Sequence, residues 1–546
     1  MVRRRGAEWV LAGSIVGLLP TLGCTPPLGK LGELAELEEG DSEGTELPPP
    51  SERIAVLQLD DGALDVLLVI DNSGSMGPAQ ARATQAIAQF AVQATATYGA
   101  DLRLGFTTTD DGNPWCQGTS PEAGQLQLSA CTGRLQDFEF PGAVLIDARQ
   151  EACLDLCGLD PGITTTATST HLEPSPAPRP WIEAGPAGTN LGDISLQAAA
   201  LCMAPQGISG CGFESPLEAM RKALARTASP SDTAYGFLRP WARLVVVFVT
   251  DEADCSVNDA WEEIFLPEGA RVFWNDDDAP APTSAVCWNA GVQCQGDGPE
   301  LGACNPQNYG VDGEVTDAAN AVMHSLTRYI EDLAAVEADK ATYRSEPSVS
   351  VALVAGVPIG YGDGTAELRY TRGVSPDADF VADFGVDPGC NGPGGDAVPP
   401  VRLRALAELH PVGDREVIYS VCRDDQSPAF DALYDALATP RLERVACVPA
   451  CLADVDEGTA GTQAQCDVIM TRAGASEREQ VRLGECADGV VPAGQDACYR
   501  LRVDEDAASQ CAAQGSNAQL ELVLADGVSV RGQLDVEVAC ELAQGC

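Results

Sequence analysis

Residues 64–76 read LDVLLVIDNSGSM, and the fold turns on how this run is parsed. From Val66 to Ile70 every residue is apolar, with no polar position to mark a solvent face. A strand covered on both faces reads this way, because successive side chains point to opposite sides of the sheet. The run stops at Asp71-Asn72-Ser73-Gly74-Ser75, and a helical pattern begins at once. A buried parallel strand thus delivers a carboxylate and two hydroxyls onto one loop. These are hard oxygen donors, the kind that suit Mg2+, with Mn2+ or Ca2+ as alternatives. The loop lies at the carboxyl end of a strand, where open α/β sheets place their ligands.

A second run of the same kind ends in an acid. Residues 244–251 read LVVVFVTD and close on Asp251. Between the two runs, Ala83, Ile87, Phe90, Ala91 and Ala94 recur at helical spacing, which predicts an amphipathic helix over 77–98. Ser215, Pro216 and Glu218 read as N-cap, first helical position and capping-box acid of another helix, running to about Ala225. Further strands are expected at 102–108, 349–354 and 416–421, and further helices at 194–201, 322–333 and 428–437. Strands alternating with helices imply an α/β fold, a mostly parallel sheet with helices on both faces.

The Asp-x-Ser-x-Ser pattern after one buried strand, with an acid ending another, resembles the von Willebrand factor type A domain. The resemblance covers about residues 55–438. It implies a doubly wound, mostly parallel sheet and a metal-ion-dependent adhesion site. Asp71, Ser73 and Ser75 match the family's first metal loop and Asp251 its third. The second loop normally offers a Thr at the start of the helix before the fourth strand. Counting back from Ala219, that position holds Glu214, a departure from the pattern. Thr189, in Gly188-Thr189-Asn190, offers a hydroxyl but lies one helix too early. Asp71 and Asp251 alone balance a divalent cation, so Glu214 leaves one net negative charge. Glu214 reads either as a ligand or as a solvated residue ahead of a helix N-cap, near the positive end of its dipole. The expected metal set is therefore Asp71, Ser73, Ser75, Glu214 and Asp251. The Thr107-Thr108-Thr109 run is read as β propensity and no more.

The chain has 546 residues with 81 acidic against 33 basic side chains, a net charge of -48. Such a surface repels phosphate backbones, which excludes nucleic acid as a partner. Arg3 to Arg5 followed by a short apolar core read as a secretory signal over 1–23. Thr21-Leu22-Gly23-Cys24 resembles a bacterial lipobox, although the family's rule has Leu where Thr21 stands. Cys24 is then lipidated, and residues 24–53 form an acidic, Pro-rich linker holding the protein off a membrane. Thr25 in place of Asp points, in the lipoprotein pattern, to the outer membrane. A cleaved signal and secretion is the alternative.

Apart from Cys24, twelve cysteines fall between Cys116 and Cys422 and eight from Cys447 to Cys546. Even groups imply disulfides closed within each region. Nearby candidates are Cys153 with Cys157, Cys202 with Cys211, and Cys294 with Cys304. Cysteine-bearing insertions are expected at about 110–190, with a strand pair near 126–145, and at 252–315. Residues 441–546 read as a small disulfide-rich β domain with a hairpin at Asp526-Gly527. The acidic runs 276–278 and 454–457 read as solvated loops.

There is no GxSxG or HExxH motif, and the three His lie in no recognisable pattern. The expectation is a non-catalytic, envelope-anchored binding or adhesion module, showing a divalent-metal site to a protein or glycan. The alternatives are a structural envelope protein with a vestigial site and a secreted hydrolase.

Overall fold

A computed structural model describes residues 54–437 and 445–543, apart from 98, 142–144, 160–162, 164, 346, 376, 449, 457, 460–461, 488, 504–510 and 529. The expected signal peptide, Cys24 and the 24–53 linker lie outside the described residues.

The strand β1, Ile54–Asp60, leads into β2, Ala63–Ile70. β2 is buried along its whole length and is the centre of a seven-stranded sheet. The other strands are β3 (Asp101–Thr108), β4 (Ile182–Gly185), β5 (Gly188–Thr189), β6 (Arg243–Val249), β7 (Val349–Ala355) and β8 (Ile418–Ser420). Their order in space is β8-β7-β6-β2-β3-β4-β5. The five from β8 to β3 run parallel, and the short β4 and β5 close the edge antiparallel. Leaving out β1 and the two-residue β5, the order counted along the chain is 3-2-1-4-5-6, that of a doubly wound α/β sheet. It reverses between β2 and β6.

Side-chain alternation builds two cores, one on each face. Val66, Leu68 and Ile70 point toward helices α1 (Gly77–Ala96), α2 (Leu196–Met203) and α6 (Ser427–Leu437), meeting Ile87, Phe90, Met203 and Phe430. Leu67 and Val69 point the other way, toward α3 (Pro216–Thr227), α4 (Leu326–Lys340) and α5 (Val401–Leu409), meeting Leu217, Met220, Tyr329 and Leu403. This is why the run from Val66 to Ile70 has no polar residue. Helix α1 ends two residues earlier than its pattern suggests.

The expected capping box on α3 does not form. The Ser215 hydroxyl donates to the Cys255 carbonyl at 3.0 Å, and Glu218 accepts from Tyr329. Asp254 and Ser256, on the loop after β6, accept from the Leu217 and Glu218 amides at 3.3 and 3.0 Å instead. A tertiary cap thus fastens the start of α3 to that loop.

The first insertion carries a hairpin, Glu139–Pro141 with Leu145–Asp147, rather than strands reaching back to residue 126. Of the nearby cysteine pairs, Cys294–Cys304 forms. Cys153 and Cys157 do not pair, because the Cys157 amide donates to the Cys153 carbonyl within a single helical turn. They join Cys131 and Cys202 instead, and Cys211 joins Cys116. Cys255–Cys287 and Cys390–Cys422 complete the first group of twelve.

The carboxyl-terminal strands are β9 (Val445–Cys447), β10 (Cys466–Ala473), β11 (Arg478–Leu483), β12 (Ala497–Val503), β13 (Ala518–Leu524) and β14 (Gln533–Cys540). They form two antiparallel sheets, β1-β14-β10-β11 and β9-β13-β12, around a core of Leu59, Met470, Leu520 and Val536. β1 precedes the central sheet in sequence but pairs with β14. The Asp526-Gly527 turn exists, with Val528 donating to the Ala525 carbonyl at 3.1 Å. It is not a hairpin turn, since β13 and β14 belong to different sheets. No helix among the described residues is long and apolar enough to cross a membrane.

Candidate metal centre at the carboxyl end of the sheet

Register brings the site loops together. Ile70 is level with Thr108 of β3 on one side and Val249 of β6 on the other. Asp71, Thr109 and Thr250 therefore leave the sheet side by side, where the strand order reverses. Asp71 has no exposure at all. Its Oδ1 accepts from the Ser73 amide at 2.8 Å and its Oδ2 from the Thr250 hydroxyl at 2.6 Å. The Ser73 and Ser75 hydroxyls lie 3.1 Å apart, Ser73 buried and Ser75 open to solvent. Gly74 is required by the insertion hairpin. A Cβ there would lie 2.9 Å from Cδ1 of Phe140, whose ring roofs the loop.

Glu214 approaches from the second loop. The Ser215 amide donates to the Thr109 carbonyl at 2.9 Å, and the Cys255 amide donates to the Glu214 carbonyl at 2.7 Å. The Glu214 backbone is thus pinned to the loops after β3 and β6. Its side chain has 0% exposure, so it is not the solvated residue that its place before a helix would allow. The Thr109 hydroxyl donates to Oε2. Oε1 is buried and has no hydrogen-bond partner among the described residues, and the same is true of Asp251 Oδ1. Thr189 is not brought to the site. It is exposed on β5 at the sheet edge, where its hydroxyl accepts from the Leu191 amide at 3.2 Å.

The charges explain what these orphaned oxygens mean. Burial, followed by repulsion from Asp71, pushes the Asp251 carboxyl up to about 8. Burial raises Glu214 well above the carboxylate range, and Asp71 and Glu252 add to it. Glu252 rises for the same reasons, burial first, then Asp71 and Asp251. Asp71 is raised by burial against hydrogen bonds from Thr250 and Ser73. No Lys or Arg is among the main influences on any of the four. Burial raises all four carboxyls, repulsion adds to it at Glu214, Asp251 and Glu252, and two buried oxygens lack a partner, a combination that a cation would relieve.

All five expected residues reach this end of the sheet. Sequence reading missed Glu252, Thr109 and Thr250. Glu252 directly follows Asp251, and both threonines are the first residues beyond strands already recognised, so position relative to strand ends was the usable signal. Among the described residues, no three Asp, Glu, His or Cys side chains already stand close enough to cage a metal. The donor set nonetheless suits a hard divalent cation: carboxylates at Asp71, Asp251 and Glu214, hydroxyls at Ser73 and Ser75, and solvent access beside Ser75.

No family model and no curated protein sequence matches the chain. Solved structures that align with it include the pilus adhesin RrgA from Streptococcus pneumoniae, at 10% identity and a TM-score of 0.28, covering 90% of this chain and 58% of that one. The pilus adhesin SpaC from Lactobacillus rhamnosus GG aligns at 10% identity and a TM-score of 0.25, covering 88% and 39%. The adhesive tip pilin GBS104 from Group B Streptococcus agalactiae aligns at 11% identity and a TM-score of 0.24, covering 90% and 82%. The chain spans about 58% and 39% of the length of the first two. Superpositions this loose fix neither a fold nor a function.

Proposed function

We propose that this chain is a non-catalytic binding module of the von Willebrand factor A type, anchored to the cell envelope through Cys24. It shows a divalent-cation site to a protein or glycan partner. One observation carries the reading: Asp71, fully buried at the end of the central strand, shares its surroundings with Asp251 and Glu214, each of which keeps a buried oxygen without a partner. Strand order 3-2-1-4-5-6 with an antiparallel edge supports the same reading, since it sets the loops after β2 and β6 side by side. Asp71, Ser73, Ser75 and Asp251 would hold the ion, with water completing the shell as magnesium prefers. The bound cation supplies a point of attachment for an oxygen atom of the partner. The residues' own task is to orient that ion and to keep the loops rigid. Cys116–Cys211 and Cys255–Cys287 serve rigidity by tying down the loops on either side of Glu214.

A ligand that binds only the folded state stabilises it by about 2.7 kcal/mol at a hundredfold excess over Kd. Mg2+ or Mn2+ should therefore raise the melting temperature of the full-length protein. Asp71→Ala should fold and lose the shift. Equal melting curves for the native protein with and without Mg2+, Mn2+ and Ca2+ would end the metal reading. Anchoring has its own check, since Cys24→Ser should move the protein from the membrane to the soluble fraction.

A further inference from the structure

Where the two carboxyl-terminal sheets meet the doubly wound domain, they leave a cavity of about 350 Å³. Register places its walls. Ala497, the first residue of β12, is level with Leu524, the last of β13, and β10 ends at Ala473, level with Arg478 of β11. β14 starts at the same end with Gln533 and Leu534. Tyr343, just beyond α4, lines the cavity from the doubly wound domain, and its carbonyl accepts from the Gln533 amide at 2.8 Å and from Arg478 at 3.0 Å. Buried Met470, Ala497 and Leu534 give an apolar floor. Gln533, the buried polar side chain of the lining, is already committed. Its Oε1 accepts from the Ser345 amide at 3.1 Å and its Nε2 donates to Asp535 at 2.9 Å. Arg472 is committed too, donating to Glu479 at 2.9 Å and to Asp496 at 2.5 Å. Arg531 differs. It is an exposed residue of the wall, its guanidinium lies 4.8 Å from the centroid of the Trp241 ring, and it meets no carboxylate among the described residues. Trp241 packs edge-on against Tyr343, with ring centroids 6.1 Å apart. An aromatic face beneath a guanidinium holds the charge in place without neutralising it.

We infer that this cavity binds a small carboxylic acid with an apolar body, the body on the floor between the sheets and the carboxylate at Arg531. Small-molecule sites are concave and mostly apolar, with a few polar groups that fix orientation, and this lining has that make-up. Of its two cations, only Arg531 has charge to offer. Glu479 and Asp496 stand in the same lining and repel a second anionic group, so the ligand is a monoanion. The inference does not rest on the cation site at the other end of the central sheet.

Titration calorimetry of the full-length protein with hexanoate, octanoate and decanoate tests this, with octanamide as the neutral counterpart of octanoate. Octanoate should bind about tenfold more tightly than octanamide, the worth of a hydrogen bond to a charged group. Affinity should rise about fourfold for each added CH2 until the cavity is full. Arg531→Ala should bind octanoate and octanamide equally, and Arg531→Lys should keep the preference for the acid. Ala473→Phe fills the cavity from β10 and should bind neither compound while keeping the native melting temperature. Ala475→Trp, at an exposed position of the same wall, takes its place if the first variant fails to fold. Three results would each overturn the inference: no octanoate bound by the native protein, equal affinity for octanoate and octanamide, or native affinity in a folded variant whose cavity is filled.

Discussion

The two ends of the central sheet handle buried charge in opposite ways. At the amino end, Asp65 is fully buried and accepts from Arg239 twice, from Nε at 2.8 Å and from the backbone amide at 2.7 Å. Arg239 also meets Asp101 at 2.8 Å, Arg103 meets Glu183 at 3.2 Å, and Asp60 lies between Arg243 and Arg344. Burial alone would lower Arg239, yet Asp65 and Asp101 outweigh it and hold the guanidinium charged. At the carboxyl end, burial raises Asp71, Glu214, Asp251 and Glu252, and no basic side chain is among the main influences on them. The same strand, β2, carries Asp65 near its start and runs into Asp71 at its end. Paired charge at one end fixes geometry, and unpaired charge at the other is the pattern of a functional site.

The largest effect should come from breaking the paired end. Asp65→Ala strands a buried guanidinium, and losing one partner of a buried pair costs roughly 3–5 kcal/mol. Urea unfolding of the metal-free protein should show that loss. Asp71→Asn alters a carboxyl just as deeply buried, but one whose charged form burial already disfavours and no guanidinium holds. Its cost should stay within about 1 kcal/mol, or turn into a gain. Equal losses at the two positions would erase the distinction between the ends.

Acidity should separate them next. The Asp251 carboxyl rises from 3.8 in the open chain to about 8. Between those values the folded protein holds a proton that the unfolded chain has lost. Metal-free stability should therefore fall as pH climbs from about 4 to about 8 and then level. Lys340, at the paired end, moves the other way. Burial, the largest influence, lowers its ammonium from 10.5 to about 8, while its Nζ donates to the Arg239 and Ala242 carbonyls. There the unfolded chain holds the extra proton, so stability should rise between about 8 and 10.5. Asp251→Asn should flatten the first limb and Lys340→Met the second. Saturating Mg2+ should also flatten the first, because the ion binds the deprotonated carboxyls. A first limb that survives Asp251→Asn would assign it to other groups.

Half of this contrast was legible in the sequence. Asp71 and Asp251 stand out because each closes an apolar run, and a buried strand that ends in an acid is a local pattern. Glu214 was reachable by counting back from Ala219, but its burial was not, since position ahead of a helix says nothing about what covers it. Thr109 was hidden by chemistry, because a threonine run in a strand satisfies β propensity with no need of a site. The paired end left no local trace. Asp65 and Arg239 are 174 residues apart, and each alone reads as an ordinary surface charge. Long-range pairing likewise hid the partnership of β1 with β14 and most of the disulfides, whereas Cys294–Cys304, closing a short hairpin, could be read from spacing.

The smallest effects test which threonine serves the unpaired end. Thr109→Val keeps the side chain's volume and removes the hydroxyl that donates to Glu214 Oε2. Both oxygens of a buried carboxyl then lack a donor, a loss of about 1–3 kcal/mol in the metal-free protein. Thr189→Ala is the counterpart. That hydroxyl sits at the sheet edge, caps only the Leu191 amide and faces water. Exposed substitutions of this kind stay within about 0.5 kcal/mol. Cation affinity, measured by calorimetry, should not change. Thr189 is the hydroxyl that counting along the sequence offers as a substitute for Glu214. A tenfold loss of affinity in Thr189→Ala would therefore move the site toward β4 and β5 and take Glu214 out of it. Unchanged affinity, with a measurable loss in Thr109→Val, keeps the cation between β2 and β6, where the strand order reverses.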